Sequence, residues 1–394
     1  MSARSARDLL RSLEAATREQ GRPGPAALIG DWAGYDALIA PSIDIRPGVA
    51  PSADPDRYWL GYLGYPGPRA DAGMLPPLAG GTSDYLLGLR EGVWEHLSTG
   101  GVPLPAWVRA CLDGPDPRAA EPAMFAWSAR WTPPDKQPHI DAIEACLAAI
   151  RAGEVYQACV CTRFTGRVDG SPVGFYADLT AATLPVKSAF LQGDWGAVAS
   201  FSPESFLRRT GTIVSSSPIK GTLPSHADPS ALSASTKDIA ENVMIVDLVR
   251  NDLGRVAVTG SVRVPELLSV VAAPGVWHLV SRVEAITDPT IGTAELLDAA
   301  FPPASVTGTP KIRACELIDS WEAAPRGVYC GAIGLAGPEH LLDLNVAIRT
   351  VEIAPDGQAG LGVGGGITID SVPEREWQEC LDKAASIVGA PTPA

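Results

Sequence analysis

Four carboxylate side chains stand at helical spacing in two distant segments of the chain. Asp238 and Glu241 lie three residues apart near the start of one predicted helix, and Glu376 and Glu379 repeat that spacing near the start of another. Residues three apart share one face of a helix, so each helix presents a pair of carboxylates. If both pairs face one cleft, their repulsion favours a bound hard cation, and ligation by oxygen alone indicates Mg²⁺. The alternative is a solvated helix face, which is the usual setting for glutamates at this spacing.

A lysine and a glutamate are candidates for acid–base or nucleophilic chemistry. Lys220 follows an apolar strand in the segment SSSPIKGT, and Glu204 follows another strand sixteen residues earlier. A lysine beside desolvating groups can act as a base or a nucleophile. A buried glutamate can keep its proton and act as a general acid. An ordinary surface position remains open for both.

Three further segments could bind an anion. In SVTGTPK, Thr309 is the predicted N-cap and Pro310 the first helical residue, so the amides around Gly308 point out of the helix mouth, which suits a carboxylate or phosphate. The glycine run at 362–366 follows a strand and would let the backbone approach an anion closely, although a tight turn is equally compatible. Arg349 is an isolated charge in an apolar strand, which favours an anionic partner.

The elements that must position these groups indicate an α+β fold. Residues 1–20 predict a short amphipathic helix, and 139–152 predict another. Ser235 and the segment beginning at Ser371 are the predicted caps of the two acidic helices. Beyond residue 154, strand-like runs interleave with helices without regular βαβ alternation. We therefore expect large, mostly antiparallel β-sheets flanked by helices, with a β-rich N-terminal part (1–130) packed on a catalytic domain (138–390).

Composition excludes several classes of protein. The 394 residues carry 31 Lys plus Arg against 45 Asp plus Glu, a net charge of −14, and this balance argues against nucleic acid or an anionic membrane as a partner. No run reaches the length of about 18 apolar residues that a membrane span needs, and the start has no apolar signal region. We expect a cytoplasmic protein whose seven cysteines are reduced, buried thiols.

Long segments of the sequence resemble the chorismate-utilising enzymes, which include anthranilate synthase component I, aminodeoxychorismate synthase component I, and the isochorismate and salicylate synthases. In family order these segments are SPE, PIKGT, KDIAENVMIVDLVRNDLGRV, SVTGTPKIRA, RGVYCGAIG, AIRT and GGGITIDSVPEREWQE. The likeness spans roughly residues 138–390 and implies the fold of that family. The lysine of PIKGT is similar to the aminodeoxychorismate synthases, whereas anthranilate synthases usually carry alanine there.

The resemblance implies a role for each candidate residue. Glu241 and Glu379 resemble the Mg²⁺ ligands, with Asp238 and Glu376 nearby. Lys220 resembles the nucleophile that attacks carbon 2 of chorismate, Glu204 the acid that protonates the hydroxyl leaving carbon 4, and His278 a histidine facing the ring. The remaining candidates would bind the substrate, and they are Gln157, Thr307, Gly308, Thr309, Tyr329, Arg349, Gly364, Gly365, Gly366 and Lys383. Tyr329 and Arg349 together resemble the grip on the enolpyruvyl carboxylate.

The resemblance also implies a reaction and a partner. The expected reaction is Mg²⁺-dependent amination of chorismate at carbon 4 through a covalent lysine intermediate, on the route to 4-aminobenzoate and folate. Gln157 stands where members that add water carry a lysine base, which disfavours hydration. The sequence shows no glutaminase motif, so ammonia is expected from a separate glutamine amidotransferase subunit. The alternatives are amination at carbon 2 with loss of pyruvate, as in anthranilate synthase, and a scaffold that binds chorismate without turnover.

Overall fold

The computed structural model describes residues 4–51, 56–114 and 122–390. In these ranges the helices are α1 (Ala6–Glu19), α2 (Ala106–Asp113), α3 (Lys136–Arg151), α4 (Pro172–Thr183), α5 (Ser230–Ala234), α6 (Thr236–Gly254), α7 (Thr293–Ala300), α8 (Lys311–Trp321) and α9 (Pro373–Val388). The strands are β1 (Ala26–Trp32), β2 (Tyr35–Ala40), β3 (Arg46–Pro47), β4 (Tyr58–Leu63), β5 (Leu78–Ser83), β6 (Tyr85–Arg90), β7 (Val93–Ser98), β8 (Trp127–Thr132), β9 (Gln157–Gly170), β10 (Lys187–Gly193), β11 (Gly196–Ser200), β12 (Ser205–Thr210), β13 (Ile213–Ser217), β14 (Ile219–Pro224), β15 (Arg263–Ala273), β16 (Val276–Ile286), β17 (Gly308–Thr309), β18 (Ala332–Gly337), β19 (Leu341–Val346), β20 (Thr350–Ile353) and β21 (Gln358–Ile367).

The strands form two large sheets. The first runs in the order β17, β9, β21, β20, β11, β10, β1, β2, β6 and β7, with β8 also paired to β9. The second runs β14, β16, β13, β12, β19, β18, β4, β5 and β3, with β15 also paired to β16. The strand pairs of both sheets are antiparallel, as between β9 and β21 and between β14 and β16. The predicted α+β class with large antiparallel sheets is confirmed.

The two sheets pack face to face, and helices pack against both. Between the sheets lies an apolar layer that includes Trp32 and Leu28 from the first sheet and Tyr62 and Ile333 from the second. Helices α1, α4 and α9 pack on the other face of the first sheet, and α6 packs on the second. Burial of these apolar faces is the main force that holds the layers together.

Both parts of the proposed two-part organisation contribute to both sheets. Strands β1, β2, β6 and β7 join the first sheet, and β3, β4 and β5 join the second. The boundary placed between residues 130 and 138 stays a prediction. Backbone pairing joins the segments on its two sides, since β8 pairs with β9.

The five helices that the sequence predicted (α1, α3, α6, α8 and α9) begin within about five residues of their expected starts, but two of the predicted caps are wrong. Ser235 caps α6 as expected, since its hydroxyl accepts a hydrogen bond from the Asp238 amide at 3.2 Å. In α9 the residue before the helix is Val372, while the Ser371 hydroxyl accepts a bond from the Thr368 amide instead. Helix α8 begins at Lys311 after Pro310, because Thr309 belongs to strand β17.

Candidate active site

The glycine run ends β21 directly beneath helix α9. A Cβ atom on Gly365 would lie 3.4 Å from Glu376 Oε2 and 3.8 Å from Glu379 Oε1. A Cβ atom on Gly366 would lie 3.5 Å from both Glu241 Oε2 and Lys220 Nζ. Two adjacent glycines therefore face acidic groups from two helices and the candidate nucleophile. A side chain at either position would contact these groups.

The acidic stripes of α6 and α9 face each other. Glu241 and Glu376 are 6% and 4% exposed. The Lys237 ammonium on α6 donates a hydrogen bond to Glu376 Oε1 on α9 at 3.1 Å, and it lies 3.9 Å from Glu241 Oε1. Burial raises the pKa of Glu241, and Lys220 and Lys237 offset this only in part. The two helices thus bring buried carboxylates to one place.

The other two predicted carboxylates lie at the edge of this group. Asp238 packs against the turn at Gly221, where a Cβ atom would be 3.0 Å from its carboxyl carbon. Glu379 pairs with Lys383 at 2.7 Å, and Lys383 also donates to the Gly364 carbonyl at 2.8 Å. Burial opposes ionisation of Glu379, but Lys383 outweighs it and lowers the pKa of that carboxyl. Lys383 therefore holds the glycine strand and Glu379 together.

Glu204 and Lys220 meet at Ser305. The Lys220 ammonium donates to the Ser305 carbonyl at 3.2 Å, while the Ser305 side chain is hydrogen-bonded to Glu204. Glu204 is 5% exposed, and its Oε1 accepts from the Ile219 amide at 3.5 Å. Burial raises the pKa of Glu204 against the Ser305 hydrogen bond and the Lys220 charge. A protonatable carboxyl and an amine thus share one site, the arrangement that general acid and nucleophile require.

His278 and Arg349 line a cavity of about 420 Å³. The His278 Nδ1 shares a hydrogen bond with the Thr222 hydroxyl at 2.9 Å, and burial together with the Arg349 charge lowers its pKa to about 4. Arg349 has left-handed backbone geometry (φ 49°), and burial lowers its pKa. A partly buried guanidinium in a cavity is suited to bind an anionic group.

Two buried polar atoms stand opposite each other where β17 pairs with β9. Thr309 is in register with Gln157, and neither Thr309 Oγ1 nor Gln157 Oε1 has a hydrogen-bond partner in the described residues. Gly308 cannot carry a side chain, since a Cβ atom would lie 2.4 Å from the Gln157 carbonyl. The Thr307 hydroxyl donates to the carbonyls of its own turn. Gln157 and Thr309 are therefore better placed than Thr307 to contact a ligand.

Tyr329 packs against the glycine strand. Its ring packs on Gly362, where a Cβ atom would meet it at 2.2 Å, and it lines a separate cavity of about 240 Å³. Burial raises the pKa of Tyr329 well above its usual value. The joint grip of Tyr329 and Arg349 on one carboxylate stays a prediction.

Sequence reasoning missed the buried ion pair beneath the site. Arg326 and Glu322 are 7% exposed each and pair at 2.7 Å. Arg326 also donates to the carbonyls of Val306 at 2.6 Å and Cys159 at 2.8 Å. The pair ties the Ser305–Thr309 loop to β9. The sequence did offer one sign of this pair, because Arg326 stands next to apolar positions in the segment RGVYCG.

The donor atoms fit a divalent cation in type. Glu241 Oε1 is buried and accepts no hydrogen bond from a described residue, and carboxylate oxygens are the donors that Mg²⁺ prefers. Across 4–51, 56–114 and 122–390, however, no three carboxylate, imidazole or thiol groups are gathered at metal-binding distance. Lys237 lies between the two buried glutamates instead. Glu241, Glu376 and Glu379 are the residues that would hold the ion.

Comparison with known proteins gives the family. The family model described as chorismate binding enzyme matches residues 107–389. The chain belongs to this family. Its fold class and its resemblance to chorismate-utilising enzymes, both expected from the sequence, are thereby confirmed.

Individual relatives of this chorismate-binding enzyme are similar over different lengths. Aminodeoxychorismate synthase component 1 of Salmonella typhimurium is 44% identical over 61% of this chain and 54% of its own length. The chain thus spans about half the length of that curated relative. The Klebsiella aerogenes protein of the same name is 39% identical over 81% of this chain and 72% of its own. Anthranilate synthase component I from Streptococcus pneumoniae has a similar structure, with a TM-score of 0.72, 26% identity, and coverage of 87% of this chain and 83% of that one.

No helix in the described ranges is both long enough and apolar enough to cross a membrane. All seven cysteines are free thiols, and all but the half-buried Cys315 are buried, as the sequence predicted.

Gly365→Ala should impair this chorismate-binding enzyme without unfolding it. The added methyl group would sit 3.4 Å from Glu376 Oε2, an ordinary contact, but it would displace a ligand that approaches the backbone. A displacement of about 1 Å costs on the order of 10²-fold in kcat/KM. Steady-state kinetics measure the loss of activity, and the Tm measures the stability.

In the control Gly364→Ala, the methyl group would lie 2.5 Å from Cys161 Sγ, so the free energy of unfolding should fall by about 1–3 kcal/mol. Unchanged kinetics for Gly365→Ala would contradict the placement of the ligand.

Proposed function

We propose that this enzyme aminates chorismate at carbon 4 and releases 4-amino-4-deoxychorismate. The observation that carries the proposal is the meeting of Lys220 and Glu204 at Ser305, beside buried carboxylates and the glycine run. The names of the Salmonella and Klebsiella relatives, aminodeoxychorismate synthase component 1, support the same reaction.

The substrate is an anion and the protein is acidic, so the substrate must bind where local groups compensate its charge. The ring carboxylate lies over the Gly365 and Gly366 backbone, close to Glu241 and Glu376. Glu241, Glu376 and Glu379 would hold a Mg²⁺ ion there, and such an ion would supply positive charge to offset the carboxylates. Arg349 faces the enolpyruvyl carboxylate within the cavity that it shares with His278. Gln157 and Thr309 offer unpaired polar atoms to the substrate.

The chemistry is two successive allylic displacements. Lys220 Nζ, as the unprotonated amine, forms a bond to carbon 2 and becomes a positively charged secondary amine, while the ring double bonds shift and the carbon 4–oxygen bond breaks. Glu204 gives its proton to the departing hydroxyl, which leaves as water. Ammonia then forms a bond to carbon 4, the double bonds shift back, and the carbon 2–nitrogen bond to Lys220 breaks. Burial raises the pKa of Glu204, which favours the protonated form that the first displacement needs.

Ammonia is expected from a glutamine amidotransferase subunit, and the words "component 1" in the names of the relatives support a partner component. The proposed product would feed the synthesis of 4-aminobenzoate and folate. A cytoplasmic location remains a prediction from the sequence.

Analysis of the reaction products tests this proposal. The purified protein is incubated with chorismate, ammonium and Mg²⁺, and the products are separated and identified by mass. We expect 4-amino-4-deoxychorismate with no release of pyruvate. Anthranilate together with pyruvate would instead assign amination at carbon 2, the reaction indicated by the name of the Streptococcus pneumoniae neighbour. Chorismate binding by calorimetry without turnover would indicate a scaffold.

A further inference from the structure

Lys237 bridges the two helices that carry the buried glutamates. Its ammonium donates to Glu376 Oε1 at 3.1 Å and lies 3.9 Å from Glu241 Oε1. The two glutamate side chains are 5% and 8% exposed, whereas that of Lys237 is 43% exposed. The Lys237 ammonium therefore contacts buried glutamates, although much of the Lys237 side chain is exposed to solvent.

The other nearby lysines make their hydrogen bonds to other groups, although the Lys220 charge also acts on Glu241. Lys383 binds Glu379 and the Gly364 carbonyl, and Lys220 binds the Ser305 carbonyl. Two buried carboxylates facing each other need a compensating cation, because an uncompensated buried charge is strongly destabilising. Within the described residues, Lys237 is the cation that forms ion pairs with both Glu241 and Glu376.

We propose that Lys237 is an exchangeable internal counter-ion, which competes with the divalent cation for Glu241 and Glu376 and swings into solvent when the metal binds. A lysine suits this role, since its ammonium is a compact charge on a flexible four-carbon stem. The inference rests on the proposed function, because it requires the metal site between α6 and α9. Metal binding then becomes an exchange of cations between the two helices.

The test is a direct titration with Mn²⁺, followed through the electron paramagnetic resonance signal of the free ion, on chelator-treated protein without chorismate. Lys237→Gln removes the competing charge and should tighten Mn²⁺ binding by about tenfold or more. Lys237→Arg keeps the charge and should bind Mn²⁺ as the wild type does. The matched control is Lys136→Gln, because Lys136 pairs with Glu374 on the outer part of the same helix α9 and should have no effect.

Each outcome has a definite meaning. Equal or weaker Mn²⁺ binding by Lys237→Gln, with the wild type binding Mn²⁺, would overturn the inference and leave the metal site standing. A rise in KM for chorismate with no change in Mn²⁺ affinity would make Lys237 a substrate contact and also overturn it. If neither the wild type nor Lys237→Gln binds Mn²⁺, the proposed metal site fails and the inference fails with it. Circular dichroism confirms that each variant is folded.

Discussion

Lys220→Ala is expected to abolish the formation of 4-amino-4-deoxychorismate, with a fall in kcat/KM of roughly 10³-fold or more. The amine of Lys220 forms and then breaks the bond to carbon 2, and alanine has no group that can replace it. The loss should appear in kcat at saturating chorismate, because the carboxylates of the substrate bind elsewhere, at the glycine run and Arg349. Product quantification by mass spectrometry measures the effect.

Intact-protein mass spectrometry of the wild type adds a second measurement for Lys220. Chorismate supplied with Mg²⁺ but without ammonium should leave an adduct whose mass is that of chorismate less one water, and peptide mapping should place it on Lys220. Lys220→Arg is the matched control, since it keeps the positive charge beside Ser305 but is a poor nucleophile. An unimpaired Lys220→Ala variant, or an adduct on another residue, would remove the covalent role.

Local patterns in the sequence predicted a large part of the site. Helical spacing indicated the two carboxylate pairs of α6 and α9, and in the structure Lys237 lies between Glu241 and Glu376. The glycine run was also identified from the sequence, because glycine lets the backbone approach a ligand closely. These signals are local, because they depend only on the spacing of residues within one helix or one strand.

Contacts between distant segments could not be predicted in the same way. Nothing within SVTGTPK shows that the carbonyl of Ser305 accepts a bond from Lys220, 85 residues earlier. Lys237 forms an i, i+4 ion pair with Glu241 that the sequence permits, but its stronger contact is with Glu376 on a helix 139 positions away. The packing of Tyr329 on Gly362 has the same origin, since the two residues lie in different segments of the chain.

Glu204→Gln is expected to lower kcat by about 10²- to 10⁴-fold, the usual contribution of a general acid. Glutamine preserves the size of the side chain and its contacts with Ser305 and the Ile219 amide, but it cannot supply a proton to the leaving hydroxyl. Chorismate binding, measured by calorimetry, should change little. A variant that retains full kcat would show that another group protonates the leaving hydroxyl.

The pH dependence of kcat/KM gives a sharper test of the same acid. Only protonated Glu204 is active, so activity falls as the pH rises through its pKa, which burial has raised. The Ser305 side chain lowers that pKa by its hydrogen bond, and Ser305→Ala removes this effect while the Ser305 carbonyl still accepts from Lys220. The alkaline limb of the Ser305→Ala profile should therefore move to higher pH, with the activity at low pH retained. In Glu204→Gln the residual activity should lose this limb altogether. If the alkaline limb stays in place in both variants, it reflects the titration of a group other than Glu204.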